Sequence, residues 1–145
     1  MFFSHRFTLP EYVKEVDEDL APGTLIVNVT AVSASPPITY SIVAEGIIGN
    51  LFSMESATGR IFLRNRLTSD PENRVEYRIP ITARDLDNSL ALSTVKVIVR
   101  RNKHAPIIAN ARNITISRSQ AIYQTITVVR ATDLDRANTP NSQIR

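Results

Sequence analysis

Five carboxylates occupy positions from which a hard cation could be held. Glu18 closes the first strand-like segment, Asp70 and Glu72 stand two apart in a polar loop, and Asp133 and Asp135 stand two apart near the C-terminal end. Carboxylates collected from several loops suit calcium, which takes six to eight oxygen ligands. Solvated loop acids have the same spacing, because charged residues normally sit at the surface.

The elements that must position these acids are short strands. Residues 10–19 carry Tyr12, Val13 and Val16 among acids and read as an edge strand. Residues 24–31 alternate, with Leu25, Val27, Val29 and Ala31 on one face and Ile26, Asn28 and Thr30 on the other. Residues 38–43 form the next strand, followed by a loop through Gly46 and Gly49. Residues 51–54 and 60–63 read as a hairpin turning at Ala57-Thr58-Gly59. Residues 75–83 give the cleanest alternation, with Tyr77, Ile79, Ile81 and Ala83 facing one way. Pro80 lacks a ladder donor, so a bulge is expected there. Asp85 and Asp87 read as turn residues, and residues 93–99 as the last strand. Seven short strands in about 100 residues predict an all-β, seven-strand Greek-key sandwich.

Residues 100–106, Arg100-Arg101-Asn102-Lys103-His104-Ala105-Pro106, read as a stiff linker. Beyond it the strand pattern restarts at residues 114–116 and 125–129 and then stops. The expected organisation is one domain over residues 1–104 and the start of a second, truncated one over 105–145. Two or three strands do not bury a core alone, so the second part is expected to pair loosely.

Composition narrows the function. The chain of 145 residues is 43% hydrophobic, enough for a packed core, and its net charge of +3 is scattered. No basic face interleaved with aromatics is present, so no nucleic-acid partner is expected. With no cysteine, disulfides, thiol catalysis and Cys-ligated zinc are excluded. His5 and His104 stand alone. No nucleophile motif, metalloprotease motif or phosphate-cradling glycine loop occurs, so neither an enzyme nor a small-molecule substrate is expected. The first seven residues are too short and too soon charged for a signal peptide, and no apolar run approaches a membrane span. Asn28-Val29-Thr30 and Asn113-Ile114-Thr115 are glycosylation sequons, so Asn28 and Asn113 are candidate glycan sites in a secreted setting.

In this order and spacing the motifs resemble a cadherin repeat followed by the start of another. The resemblance spans nearly the whole chain. Tyr12, Val16-Asp17-Glu18-Asp19 and Pro22-Gly23-Thr24 are similar to the opening of such a repeat. Tyr40-Ser41-Ile42, Phe52-Ser53 and Thr58-Gly59-Arg60-Ile61 are similar to its middle. Asp70-Pro71-Glu72 with the strand through Asp85 resembles the Asp-x-Glu calcium motif, and Ala131-Thr132-Asp133-Leu134-Asp135 the Asp-x-Asp motif of the next repeat.

What the resemblance implies is an extracellular adhesion module in a membrane-anchored parent, with other cadherin-type ectodomains as partners, homophilic or heterophilic. It implies calcium between repeats. The implied ligands are Glu18, Asp70, Glu72, Asn102, Asp133 and Asp135, with the backbone carbonyls of Arg101 and His104. The absence of an N-terminal tryptophan sets it apart from the strand-swapping members; Phe2, Phe3 and Phe7 read as strand-edge aromatics. The departures are specific. Where the family linker reads Asp-x-Asn-Asp-Asn-Ala-Pro, this chain has Arg100, Lys103 and His104 in place of Asp, Asp and Asn. Ser33-Ala34-Ser35 replaces the first repeat's own Asp-x-Asp, and Arg118 takes the second repeat's glutamate position.

Fewer ions are therefore expected, with Lys103 and Arg100 pairing with Glu18, Asp70, Glu72 and Asp135 in their stead. The alternative is a generic immunoglobulin- or fibronectin-like sandwich serving as a calcium-independent binding or scaffold module.

Overall fold

The computed structural model describes residues 4–102, 105–109 and 114–133. Lys103, His104, Asn113 and Asp135 lie outside the described residues. The chain divides into two compact units, Met1–Arg101 and Asn102–Arg145.

The first unit is a sandwich of four strands on three. One sheet runs β2 (Glu11–Asp17), β9 (Leu90–Arg100), β8 (Glu76–Arg84), β5 (Thr39–Ile42); the other runs β3 (Leu25–Asn28), β7 (Arg60–Leu63), β6 (Phe52–Glu55). A small pair, β1 (Arg6–Phe7) with β4 (Ala31–Val32), sits beside them. All sandwich pairings are antiparallel except β2 with β9, which is parallel from Glu11↔Thr94 to Asp17↔Arg100. A parallel pair needs a long crossover. Here the connection is the body of the domain, since the first strand enters beside the last.

Strand β9 is the spine. It bonds to β2 on one edge and to β8 on the other. Its alternation buries Val95, Val97 and Val99 against Tyr77, Ile79, Ile81 and Ala83 of β8, as the period of two predicts. Leu51, Ile61, Leu63 and Leu67 close the core from the other side. Phe52 meets Tyr77 edge-to-face at 5.5 Å between ring centroids.

Four local readings change. The expected faces of residues 24–31 are broken by a register shift between Leu25 and Val27, so Ile26 turns inward and Leu25 outward, while Val29 and Ala31 stay buried. Pro80 makes no bulge: the β8–β9 register is unbroken from Glu76↔Ile98 to Arg84↔Leu90. The proline sits where the ladder to β5 ends, after Ile42↔Ile81, and its carbonyl accepts the Val43 amide at 2.9 Å. The loop through Gly46 and Gly49 contains a short helix α1 (Gly46–Leu51), which sends Leu51 fully into the core. Phe7, read as a strand-edge aromatic, is buried between Tyr12 and Tyr40.

In the second unit the described residues hold one strand pair, β10 (Ile107–Ala109) with β11 (Arg130–Thr132). Residues 114–116 and 125–129 are not strands and are exposed. Too little apolar surface gathers there to fix a sheet.

The hairpin turn between β6 and β7 depends on Gly59, whose φ is +75°. A β-carbon there would collide with the Val29 carbonyl oxygen, the same strand whose amide bonds to the Gly59 carbonyl at 3.0 Å. Gly59→Ala is expected to cost about 2–4 kcal/mol, from the left-handed conformation plus the clash. Urea unfolding followed by circular dichroism measures it.

Candidate functional site at the linker end of the first unit

Glu18 directly follows β2, and its amide bonds to the Arg100 carbonyl at 3.1 Å. Asp70 directly follows a single 3₁₀ turn, Leu67–Ser69, in the loop before β8. Both therefore lie at the end of the sandwich where β9 leaves it. Glu72 lies two residues beyond Asp70.

Asp70 is 1% exposed. One carboxylate oxygen accepts the Glu72 amide at 3.1 Å and Arg74 Nη1 at 2.7 Å. The other accepts the Arg74 amide at 3.2 Å and the Tyr77 hydroxyl at 2.7 Å. Burial alone would raise its carboxyl. The Tyr77 hydroxyl, the two amides and the Arg74 guanidinium outweigh that and lower it to about 2. Tyr77 moves the other way, to about 12, because burial and its bond to Asp70 outweigh the nearby Arg101 charge.

Arg101 is the second cation of the site. It was expected to offer only its backbone carbonyl, yet its side chain is 4% exposed and turned into the domain. Nε and Nη2 donate to the Arg74 carbonyl at 3.0 and 2.6 Å, and Nη1 to the Leu67 carbonyl at 3.1 Å. Nη2 also donates to the Tyr77 hydroxyl at 3.0 Å, and Nη1 lies 3.5 Å from a Glu18 carboxylate oxygen. Arg74 completes the set by reaching Glu72 with Nη2 at 2.5 Å. Strand period predicts the direction of Arg101: Val95, Val97 and Val99 face inward, and residue 101 continues the same face. That signal was in the sequence and pointed away from a solvent-facing linker residue.

Arg100 lies on the opposite face of the strand. Its Nε donates to Asp17 at 2.7 Å and its Nη1 lies 3.5 Å from Glu15, across the parallel pair. Asn102 is exposed and Asp133 follows β11; both belong to the second unit.

The other end of the sandwich carries a second neutralised acid. Asp85, read as a turn residue, is buried. It accepts the Ser33 hydroxyl at 2.6 Å and the Ser89 amide at 2.9 Å, and His5 Nδ1 lies 3.7 Å away. The Ser33 bond, against burial and helped by Ser89 and His5, lowers its carboxyl below the usual range. Ser35 bonds to Asp87. Serines at 33 and 35 thus donate to these acids where Asp-x-Asp would repel them.

Calcium needs free oxygen lone pairs, and Asp70 does not offer them as arranged. A carboxylate has about four acceptor positions, and Asp70 meets four donors. Glu72 is engaged by Arg74 and Glu18 by Arg101. Among the described residues no three acidic or histidine side chains gather in a way that could hold a metal ion.

Asp70 makes a sign-definite pH prediction. Its folded value of about 2 lies below the ordinary 3.8, so its stabilisation is full above pH 3.8 and disappears as pH falls through 2. Asp70→Asn is expected to lose about 2–4 kcal/mol at neutral pH, having removed the anion that four donors face. It should also flatten the acid limb of a urea-unfolding series run from pH 5 to about 2.

The chain shares its fold with known proteins. The Cadherin domain family model matches residues 12–100. Mouse Cadherin-24 is 36% identical over 135 residues, covering 89% of this chain and 17% of that protein. The human Cadherin EGF LAG seven-pass G-type receptor 2 is 30% identical over 132 residues, covering 89% of this chain and 4% of that protein. The chain thus spans less than a fifth of either. Among solved structures, mouse clustered PcdhgC3 EC1-3 is 28% identical with a TM-score of 0.59, covering 66% of this chain and 33% of that one. Protocadherin Gamma B7 extracellular cadherin domains 1-4 is 25% identical with a TM-score of 0.60, covering 96% and 35%. With its four-on-three sandwich and the match over residues 12–100, the chain belongs to the cadherin family.

Proposed function

We propose that this chain is an extracellular adhesion module of a larger, membrane-anchored cadherin, contributing one repeat and the beginning of the next to a rod that meets other cadherin-type ectodomains. The observation that carries the reading is the family match across residues 12–100 on a complete sandwich. The similarity to cadherins supports a role in binding rather than catalysis.

The second repeat is supported by a repeated piece of geometry. In the first unit β1 pairs antiparallel with β4, so that Phe7 faces Ala31. In the second, β10 pairs antiparallel with β11, so that Ile108 faces Ala131. Ser33 follows the first pair and Asp133 the second. On this reading residues 105–145 begin a repeat whose Asp133 and Asp135 keep the ligand motif the first repeat lacks. Glu18, Asp70, Glu72 and Asn102, with the carbonyls of Arg101 and His104, are the positions a junction would use. The engagement of Glu18, Asp70 and Glu72 by arginines of the first unit supports a junction that binds fewer calcium ions than the family pattern implies.

Asn28 lies exposed at the end of β3, accessible to a glycan, and Asn113 is the second candidate. The test expresses the full-length protein in mammalian cells. Surface biotinylation should label it, and a glycosidase-sensitive gel shift should shrink in Asn28→Gln. Cells carrying it should aggregate with one another or with cells bearing a cadherin partner. An unlabelled protein retained in the cytosol, with no glycan, would overturn the extracellular reading.

A further inference from the structure

Three carboxylates in the first unit meet two guanidinium groups. Arg101 reaches Glu18 and, through the Tyr77 hydroxyl, Asp70; Arg74 reaches Asp70 and Glu72. The two arginines bring two positive charges, the same charge as one calcium ion. We propose that Arg74 and Arg101 are this domain's own counter-ions, holding the Glu18, Asp70 and Glu72 oxygens that calcium would otherwise take, so that this end of the sandwich is ordered without the ion.

Three features carry the inference. The first is completeness. Both oxygens of Asp70 are doubly engaged, so an ion has to displace Arg74 before it can bind there. The second is burial. Arg101 at 4% exposure cannot simply swing into water, because its N–H groups also close the Leu67 and Arg74 carbonyls. A buried guanidinium that loses its partners leaves carbonyls and a hydroxyl unpaired. The third is geometry. Arginine's planar fork suits several fixed acceptors at once, whereas a lysine offers a point charge. These two counter-charges lie within the folded domain, directly after β9 and in the loop before β8. Lys103, from which the sequence leads one to expect a similar pairing, lies outside the described residues.

The inference rests on the cadherin reading only for where an ion would sit, and its test does not require adhesion. Calcium alone is titrated into the full 145-residue chain, and the melting temperature is followed by circular dichroism. The wild-type chain is expected to shift by less than about 2 °C between chelator and millimolar calcium, the range where extracellular modules bind. Arg74→Gln, at a partly exposed position that leaves Arg101 in place, is expected to melt lower in chelator. It should then gain about 4 °C or more with millimolar calcium, because it frees oxygens on Asp70 and Glu72.

Arg101→Gln, if folded, is expected to melt lower still, and Arg78→Gln on the exposed sheet face should match wild type. A wild-type chain stabilised by about 5 °C or more in millimolar calcium overturns the proposal. So does a folded Arg74→Gln whose melting, lowered or not, ignores calcium. Failed aggregation of cells alongside a calcium-blind wild type and a calcium-responsive Arg74→Gln would sink the adhesion reading and leave this one standing.

Discussion

A guanidinium out of reach of water must find acceptors for its N–H groups, and Arg101 meets that requirement with the protein's own oxygens. It joins the last residue of the first unit to the loop before β8, to the core hydroxyl of Tyr77 and to Glu18 after β2. Three stretches of the chain that are distant in sequence are tied at one point. An unpaired charge there would cost several kcal/mol, so the loop holding Asp70 cannot be reshaped without addressing Arg101. The arrangement of the acids follows from that constraint.

The spine that delivers Arg101 is β9. Its valines lie between the two sheets, and its two edges hold β2 and β8. Because the strand continues its alternation to the end, the inward face finishes in an arginine and the outward face in Arg100, which pairs with Asp17 and Glu15. Adjacent arginines in the sequence therefore have separate roles. One organises a buried cluster. The other screens acids across a parallel strand pair that is largely solvated, where an ion pair contributes about 1 kcal/mol or less.

Both ends of the sandwich solve the same electrostatic problem with different donors. At the linker end the Arg74 guanidinium and the Tyr77 hydroxyl meet Asp70, and Arg101 donates to that hydroxyl in turn. At the opposite end serines and a backbone amide meet Asp85, with His5 alongside. In each case hydrogen bonds hold the carboxyl below its ordinary value despite burial. A cadherin domain generally binds calcium where acids converge. Here Asp70 and Asp85 are each met by donors from within the unit.

Much of this fold was legible because strand pairing imposes a period of two. Residues 76–84 and 90–100 announce their buried faces residue by residue, and the turn at Gly59 requires a residue tolerant of positive φ. The acids at 18, 70 and 72 were also legible as a set, since loop positions flanking strands converge at sheet ends. Less visible were events that shift the period, such as the bulge at Leu25/Val27, or that depend on a neighbour's end, such as Pro80 beyond the β5 ladder. The helix at Gly46–Leu51 is too short to show a period.

The sequence by itself determined the sandwich, the order of its strands and which acids stand near the linker, because those follow from local alternation and spacing. Only the tertiary structure decided what those acids touch. Glu18, Asp70, Arg74, Tyr77 and Arg101 are separated by up to 83 positions, and no local pattern states which donor reaches which oxygen. Folding links them in a run of contacts from Glu18 through Arg101 and Tyr77 to Asp70 and Arg74, at 3.5, 3.0, 2.7 and 2.7 Å.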